Sequence, residues 1–252
     1  MRTPPRSTSS SLRRPLTEAV ILMAGLGTRL RGSSDAFLKP MVSVGGRPLV
    51  SYTISALADA GIKIINAVVG FESARLTAAV RRLIPPEISV RFIENPDWQK
   101  MNGISLLAAA RAVTPPFLLT MSDHLFEPAI IDLLIKSADF SQLNLAVDRK
   151  LNTIFDLEDA MKVQTRGDHV IEIGKNLPNY DAIDTGLFVC PADIFKYLEK
   201  AKQAGDCSLN DGVRLMAADN RVRALDIGDA WWQDVDTPDM LRHAEERMRM
   251  LG

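Results

Sequence analysis

The sequence predicts an α/β fold in which helices flank a mixed, mostly parallel sheet, and three observations lead to this prediction. The apolar run at residues 19–23 has the length of a strand and ends in a glycine turn. Strand-like runs then alternate with helical patterns as far as Ser137, as in parallel sheets that are covered on both faces. Beyond Leu143, strand-like runs follow one another with few helices between them, which indicates a small antiparallel portion.

In the first half of the chain, segments with helical spacing of apolar residues alternate with strand-like runs. Apolar residues recur at helical spacing in four segments, at residues 48–60, 72–83, 105–113 and 128–137. Gly61 suits the end of the first of these helices. Asn102-Gly103 is interpreted as a turn before the third helix. Apolar or alternating runs predict strands at residues 64–69, 88–93 and 117–121.

The second half is richer in strands. They are predicted at residues 143–147, 160–164, 170–173, 183–189 and 222–227. Gly167-Asp168 is a hairpin signal, and Ser208 to Asp211 resembles a capping box that opens a helix. Further helices are predicted at residues 191–204 and from Pro238 onward. We expect one domain at residues 18–252, in which the antiparallel strands cover a substrate, and a disordered tail at residues 1–17, which are rich in Ser, Pro and Arg.

Composition excludes several classes of protein. A chain of 252 residues with 46% hydrophobic residues can bury a large core,. Its net charge of −1 provides no basic field for nucleic acid, so we expect no such partner. No apolar run reaches membrane-spanning length, and we expect no membrane insertion. Cys190 and Cys207 lack metal-ligand spacing, which suggests reduced thiols in a cytoplasmic protein.

The glycine turn after the first strand predicts a phosphate site. Open α/β sheets bind ligands at the carboxyl ends of their strands, and Gly25 and Gly27 let backbone N–H groups approach a phosphate. Arg29 and Lys39 supply cationic charge. The dinucleotide fingerprint does not fit because Leu30 replaces its third glycine, and the Gly-Lys-Ser/Thr of a Walker loop is missing.

Three aspartates are candidate magnesium ligands. Asp123 directly follows a buried strand, where a carboxylate can bind Mg²⁺ together with substrate phosphates, although turn aspartates also occur there. Asp234 or Asp236 would supply a second carboxylate, and Asp236 also suits a helix cap before Pro238. His124 could bind a metal, but Mg²⁺ prefers oxygen ligands, so a packing role is favoured.

Other polar and aromatic residues have both a structural and a functional interpretation. Lys175 follows a strand and, from composition alone, would be a surface lysine. Asp184 and Thr185 could hydrogen-bond a polyol or simply begin a strand. The tandem Trp231-Trp232 could stack on a base, enclose a quaternary amine or pack in the core.

These motifs together resemble the nucleotidyltransferases that join a sugar phosphate or alcohol phosphate to a nucleoside monophosphate. The resemblance spans about residues 18–247, and its motifs are Gly25-Leu26-Gly27-Thr28-Arg29-Leu30, Lys39-Pro40, Asn102-Gly103-Ile104-Ser105-Leu106, Met121-Ser122-Asp123-His124, Ile173-Gly174-Lys175, Asp184-Thr185-Gly186 and residues 232–237. The Asp-His, Asp-Thr-Gly and Asp-Val-Asp-Thr motifs look most like those of inositol-1-phosphate cytidylyltransferase.

The resemblance implies a Rossmann-like nucleotidyltransferase fold and Mg²⁺-dependent transfer of a cytidylyl group from CTP to inositol-1-phosphate. It implies that the triphosphate lies against Ala24, Gly25, Gly27 and Thr28, with Arg29 and Lys39 as charge stabilisers. It implies that the base or ribose lies near Asn102, Gly103 and Ser105. It implies that Asp123 binds the metal with Asp236 or Asp234, that Lys175 holds the acceptor phosphate, and that the acceptor pocket includes Asp184 and Thr185.

Other readings of the resemblance stay open. The acceptor could be phosphocholine, aminoethylphosphonate or a hexose-1-phosphate, and a homodimer is left open. A non-catalytic nucleotide-sensing subunit is disfavoured because Arg29, Lys39, Asp123 and Lys175 are all present. Some members of the family are fused to a membrane phosphatidyltransferase-type domain, and because the sequence ends at Gly252 we expect no such half. Residues 31–38 form a longer segment than the linker of the inositol enzymes.

Overall fold

The computed structural model describes residues 15–31 and 37–251. Its strands are β1 (Glu18–Leu22), β2 (Ser43–Val44), β3 (Arg47–Pro48), β4 (Ile64–Val69), β5 (Ser89–Glu94), β6 (Phe117–Met121), β7 (His124–Phe126), β8 (Leu143–Asp148), β9 (Lys162–Arg166), β10 (His169–Gly174), β11 (Ala182–Cys190), β12 (Val222–Asp226) and β13 (Trp232–Asp234). Its α-helices are α1 (Thr28–Arg31), α2 (Leu49–Asp59), α3 (Ser73–Arg81), α4 (Asn102–Ala108), α5 (Ala129–Ser137), α6 (Ile194–Ala201), α7 (Leu209–Ala218) and α8 (Pro238–Leu251). Short 3₁₀ helices occur at Lys39–Met41 and Leu151–Thr153.

A nine-stranded mixed sheet joins the two halves of the chain, in the order β5-β4-β1-β6-β11-β8-β12-β10-β9. Strands β5, β4, β1 and β6 are parallel to one another. Strand β11 runs antiparallel to both β6 and β8, and β9, β10 and β12 are joined by antiparallel pairs. Strands β8 and β12 are parallel, so only β10 and β11 run against the direction of the other seven strands of this sheet. The predicted α/β class, mostly parallel with an antiparallel portion, is therefore confirmed.

Both faces of the sheet are buried, which explains why the sequence of β1 is continuously apolar after Glu18. Val20 and Leu22 pack into the core that contains residues of α4, α6 and α7. Ala19 and Ile21 point the other way, into the core that contains residues of α2, α3 and α5. A strand covered on both faces needs apolar residues at every position, since successive side chains alternate between the faces.

Two residues of the predicted tail, Leu16 and Thr17, lie among the described residues and pack against the rest of the chain. Residues 1–14 of the predicted tail lie outside the described residues, as do residues 32–36 of the segment that is long for the inositol enzymes. Leu16 is only 5% exposed, and the Thr17 carbonyl accepts backbone hydrogen bonds from Lys63 (2.8 Å) and Ile64 (3.1 Å). Leu16 and Thr17 therefore belong to the fold, because Leu16 is packed in a core and Thr17 extends the pairing of β1.

The bounds of α4 and β9 also depart from the predictions. The predicted turn at Asn102-Gly103 is the first turn of α4, and that helix ends at Ala108 instead of residue 113. The strand predicted at residues 160–164 is β9, which begins only at Lys162 and continues to Arg166. None of the described helices combines the length and the apolar character needed to cross a membrane.

Candidate active site

Two cavities lie side by side at the carboxyl ends of β1 and β6. The smaller, of about 340 Å³, is bordered by the glycine turn and Lys39. The larger, of about 610 Å³, is bordered by the antiparallel strands, the loop after β8 and helix α8. The residues that line both cavities are Arg29, Asn102, Met121, Asp123 and Asp236. The site is thus one cleft with two compartments, which meet at a guanidinium and two carboxylates.

Lys39 lies at the centre of this junction. Its ammonium donates to Asp123 Oδ2 at 2.5 Å and to Asp236 Oδ1. Burial alone would lower the pKa of Lys39, but the charges of Asp123 and Asp236 outweigh burial and raise it,. For Asp123, burial alone would raise the pKa, but the Lys39 charge and the hydrogen bond to His124 hold this pKa well below its usual range. Both groups are therefore ionised at neutral pH.

The two glycines of the turn differ in their surroundings. Gly27 has a φ of +66°, and a Cβ there would lie 2.8 Å from Lys39 Cβ and Cδ. Only glycine at this position lets the Lys39 side chain pass so close to the turn. A Cβ at Gly25 would have nothing within 4 Å, and Gly25 borders the smaller cavity. Gly27 thus positions Lys39, whereas Gly25 keeps the cavity wall open.

Asp159 is a site residue that the sequence interpretation missed. Arg29 Nη1 donates to Asp159 Oδ2 at 2.7 Å, while Arg29 Nη2 donates to Asp236. Lys175 donates to the other oxygen of Asp159. Hydrogen bonds from Lys175 and Arg29 lower the pKa of Asp159, although burial works against them. Asp159 has no motif around it, and only the path of its loop brings it between the two cations.

A short two-stranded antiparallel sheet, β7 paired with β13, positions the remaining acidic residues. It sets Asp234 opposite His124, and the next acidic residue, Asp236, reaches Lys39 and Arg29. Asp234 borders only the larger cavity, and burial is the main cause of its raised pKa. The hydroxyl of Thr237, not the carboxylate of Asp236, accepts the hydrogen bond of the Met240 N–H at 3.2 Å in the first turn of α8.

The Asp184-Thr185-Gly186 motif contributes one residue to the larger cavity and one support for its wall. Asp184 borders the cavity, accepts from the Gly186 N–H at 2.7 Å and has a pKa raised by burial to about 6. Thr185 is fully buried, and its hydroxyl donates to the Ala146 carbonyl at 2.8 Å. Thr185 does not border the cavity, because its side chain points into the sheet packing, and the predicted acceptor contact stays a prediction.

Gly186 makes room for His124. It has a φ of +75°, and a Cβ there would lie 2.4 Å from His124 Nε2. His124 Nδ1 lies 2.8 Å from Asp123 Oδ1, and its ring stacks on Trp232 with centroids 6.1 Å apart. Burial would lower the pKa of His124, but the hydrogen bond and charge of Asp123 raise it. His124 thus orients the central carboxylate, in line with the packing role favoured above.

The residues predicted near the base or ribose divide into two groups. Asn102 and Ser105 border the smaller cavity. Gly103 instead faces the start of α7, where a Cβ would lie 2.6 Å from the Cys207 carbonyl oxygen. Asn102 also accepts from the Leu209 N–H at 2.8 Å. The Asn-Gly pair therefore joins α4 to α7, and Gly103 serves this packing instead of bordering the cavity.

The tandem tryptophans already have partners. Trp232 Nε1 donates to Asp148 Oδ2 at 3.1 Å, and its ring is stacked on His124. The Arg247 guanidinium lies 6.0 Å from the centre of the Trp231 ring. In the same cavity, the ring of Phe155 stacks on His243 of α8 with centroids 4.4 Å apart. This ring pair was not predicted, because neither residue belongs to a motif.

Asp123 and Asp236 form the site's pair of converging carboxylates. Within residues 15–31 and 37–251, no group of three or more His, Cys, Asp or Glu side chains is arranged to hold a metal. Two carboxylates are nevertheless a fitting set for Mg²⁺, which takes one or two from the protein and its other ligands from substrate phosphates and water. The donors present are oxygens, as Mg²⁺ requires.

Comparisons with known proteins give relatives along most of the chain. A bifunctional IPC transferase and DIPP synthase of Rubrobacter xylanophilus is 36% identical over 231 residues, which cover 90% of this chain and 51% of the relative. A CMP-5'-(3-aminopropyl)phosphonate synthase of Streptomyces rubellomurinus is 30% identical over 251 residues, covering 91% of this chain and 38% of the relative. The chain thus spans about half, or less, of the length of these relatives.

Solved structures have the same fold. The inositol-1-phosphate CTP transferase of T. maritima superposes with a TM-score of 0.80 and 25% identity, over 92% of this chain and 98% of that one. A UTP-bound UGPase of Acinetobacter baumannii gives a TM-score of 0.72 at 20% identity, over 94% of each chain, and supports the fold alone. Residues 19–205 match the family described as the MobA-like NTP transferase domain. Because this match covers more than half of the chain, the protein belongs to the MobA-like nucleotidyltransferase family.

Proposed function

We propose that this protein transfers a cytidylyl group from CTP to inositol-1-phosphate and releases pyrophosphate. The observation that carries the proposal is the cleft with two compartments that meet at Arg29, Asp123 and Asp236. A transfer between two phosphates needs a place for each of them and charge stabilisation at the point between them. The name of the similar T. maritima structure supports CTP and inositol-1-phosphate as the two substrates.

The smaller compartment is the proposed nucleotide site. The turn from Ala24 to Thr28 offers backbone N–H groups to the triphosphate, and Gly25 keeps the approach open. Arg29 and Lys39 stabilise the charge that develops on the phosphates. We assign Asn102 and Ser105 to the base or ribose, because both border this compartment.

Asp123 and Asp236 are the proposed Mg²⁺ ligands. They share the Lys39 ammonium, so their oxygens converge, whereas Asp234 lies toward the larger compartment. This arrangement favours Asp236 over Asp234 as the second ligand. When bound, Mg²⁺ supplies positive charge that offsets the repulsion between the triphosphate and the acceptor phosphate.

The larger compartment is the proposed acceptor site. Lys175 binds the acceptor phosphate, and Asp184 accepts hydrogen bonds from the hydroxyls of the polyol. A phosphate oxygen of the acceptor attacks the α-phosphorus, the bond to the β-phosphate breaks, and pyrophosphate leaves. A phosphate monoester is already largely ionised at pH 7, since its second pKa is about 6. The reaction therefore needs no general base from the protein.

The acceptor is proposed to be a polyol phosphate and not phosphocholine. Both tryptophan rings already have partners, His124 and Arg247, so they do not form an open cage for a quaternary amine. A phosphonate is the second candidate, because one relative is named for a phosphonate nucleotide. We also propose that the enzyme acts in the cytoplasm, which the two free buried cysteines support,.

A pyrophosphate-release screen tests the proposal. It crosses CTP, UTP, ATP and GTP with inositol-1-phosphate, phosphocholine, 2-aminoethylphosphonate and glucose-1-phosphate in the presence of Mg²⁺. We expect the highest rate with CTP and inositol-1-phosphate, and CDP-inositol as the product by mass spectrometry. Release with a different pair would replace the proposed substrates, and no release with any pair would favour a nucleotide-sensing role.

A further inference from the structure

Asp159 connects the cations of the two compartments. One carboxylate oxygen accepts from Arg29 Nη1 at 2.7 Å, and the other accepts from Lys175. In the proposed function, Arg29 serves the triphosphate and Lys175 serves the acceptor phosphate. Each oxygen of Asp159 therefore accepts from a side-chain cation that is proposed to bind a different substrate. The oxygens of a bound phosphate group would be arranged in the same way.

The position of Asp159 is fixed by hydrogen bonds to the backbone of its loop as well as by these ion pairs. Lys162 donates to the carbonyls of Glu158 (3.0 Å) and Ala160 (3.4 Å), on either side of Asp159, and to the Lys175 carbonyl (2.9 Å). The loop is thus fastened to the end of β10 independently of the Asp159 carboxylate. Replacing that carboxylate should change the charge between the two cations and leave the loop attached.

Substrate phosphates must compete with this carboxylate. The exposed fractions of the side chains are 48% for Arg29, 51% for Lys175 and 35% for Asp159, so all three are accessible from the cleft. A triphosphate that binds Arg29 brings negative charge next to Asp159 and repels it. Once Asp159 withdraws, Lys175 is released toward the acceptor phosphate.

We infer that Asp159 is a positioning residue that takes the place of a phosphate between Arg29 and Lys175 until the substrates displace it. The inference rests on the proposed roles of those two cations. It has two consequences. Small anions such as pyrophosphate bind less tightly than they would in the absence of the Asp159 carboxylate, although Arg29 keeps its second partner, Asp236. Nucleotide binding also prepares Lys175 for the acceptor.

Calorimetric titration with pyrophosphate at low ionic strength tests the inference. The variants are Asp159→Asn, which removes the charge, and Asp159→Glu, which keeps it. Glu158→Gln is the matched control, because it removes a negative charge from an exposed neighbouring side chain. We expect Asp159→Asn to bind pyrophosphate about three- to tenfold more tightly than the wild type, the size expected for two partly exposed ion pairs. We expect the two other variants to stay within about twofold of the wild type.

A gain in affinity separates this role from a structural one, because a loosened site would bind more weakly. The gain should shrink at high salt, which screens exposed charges, and Lys175→Ala in the Asp159→Asn background should remove most of it. Equal or weaker binding by Asp159→Asn, or no pyrophosphate binding by any variant, would overturn the inference. Tighter binding without any cytidylyl transfer would overturn the proposed function and leave the inference standing.

Discussion

At the scale of single residues, the centre of the cleft depends on one buried cation. Lys39 is almost fully buried and shares its ammonium between Asp123 and Asp236. Without it, two carboxylates would face each other and the incoming phosphates with less compensating charge. We therefore expect Lys39→Ala to lower kcat by about 10²- to 10³-fold. The measurement is steady-state turnover with saturating Mg²⁺.

The exposed Lys136→Ala on α5 is the control for Lys39→Ala, and it should keep wild-type turnover. Circular dichroism of both variants should match the wild type. If Lys39→Ala turns over at the wild-type rate, the charge-stabilising role proposed for Lys39 is wrong.

Gly186 is expected to be more sensitive to substitution than a glycine with the same backbone conformation elsewhere. Gly167 has a φ of +64°, and a Cβ there would have nothing within 4 Å. Gly167→Ala should therefore lower the free energy of unfolding only by the conformational cost of about 1–2 kcal/mol. Gly186→Ala must also displace His124, which should add about 1–3 kcal/mol. Urea denaturation of both variants measures the difference, and equal losses would contradict the contact with His124.

Asp184 gives a pH-dependent prediction. Burial raises the pKa of Asp184 in the folded protein to about 6, above its ordinary value of 3.8, so the folded protein binds more protons than the unfolded one between these values. The free energy of unfolding should therefore fall as pH rises from about 4 to 6. At about 1.4 kcal/mol per pKa unit, the loss is about 3 kcal/mol. Asp184→Asn keeps an acceptor for the Gly186 N–H but cannot ionise, so it should become more stable relative to the wild type across this range.

Urea denaturation of the Asp184→Asn variant and the wild type at pH 4, 5, 6 and 7 measures this relative stability. Groups that titrate in both proteins cancel in the difference. A difference that stays constant over the whole range would show that Asp184 ionises normally in the folded protein.

At this scale the sequence predicts residues best where they follow strands. Arg29, Lys39 and Asp123 belong to motifs near the carboxyl ends of β1 and β6, which parallel pairing brings to one edge,. Asp159 could not be predicted, because the path of its loop is set by long-range contacts that no local pattern encodes. The resemblance assigned Asp184 and Thr185 together to the acceptor pocket, but the motif does not show which of the two borders the cavity, since neighbouring residues of a strand point to opposite faces.

At the scale of elements, one glycine serves the packing of α4 against α7 and another borders the nucleotide compartment. A Cβ on Gly103 would lie 2.6 Å from the Cys207 carbonyl oxygen, whereas Gly25 has nothing within 4 Å. Gly103→Ala should therefore cost about 1–3 kcal/mol of stability through overpacking. Gly25→Ala should change stability by less than about 0.5 kcal/mol but raise the KM for CTP, because its methyl group enters the cavity.

Thermal unfolding and CTP kinetics of this pair of glycine variants separate the structural glycine from the functional one. An unchanged KM in Gly25→Ala would mean that the triphosphate does not approach the turn. An unchanged stability in Gly103→Ala would mean that α4 and α7 can move apart at little cost.

Helices and long strands were largely predictable, but the antiparallel pair of β7 and β13 was not. Each of these strands has three residues, too few for a periodic pattern, and their pairing joins distant parts of the chain. This strand pair brings Asp234 and Asp236 to the cleft. The sequence names both aspartates as candidates, and the proposal of Asp236 rests on its contact with Lys39, which no local pattern encodes.

At the scale of the whole molecule, the sheet unites the compartments. Strand β11 lies between β6, which precedes Asp123, and β8, which precedes the loop of Asp159. We propose on this basis that residues 16–251 fold as one domain, which holds the nucleotide and acceptor compartments together. The alternation of strands and helices predicted the fold class, but the insertion of β11 between β6 and β8 is a long-range pairing that periodicity cannot reveal.

The two compartments are proposed to hold CTP and inositol-1-phosphate. The most direct measurement compares kcat/KM for inositol-1-phosphate with that for phosphocholine, at saturating CTP and Mg²⁺. We expect at least about a 100-fold preference for inositol-1-phosphate, since a site built to hydrogen-bond hydroxyls strongly rejects an acceptor that lacks them. An equal or higher kcat/KM for phosphocholine would contradict this assignment of the acceptor compartment.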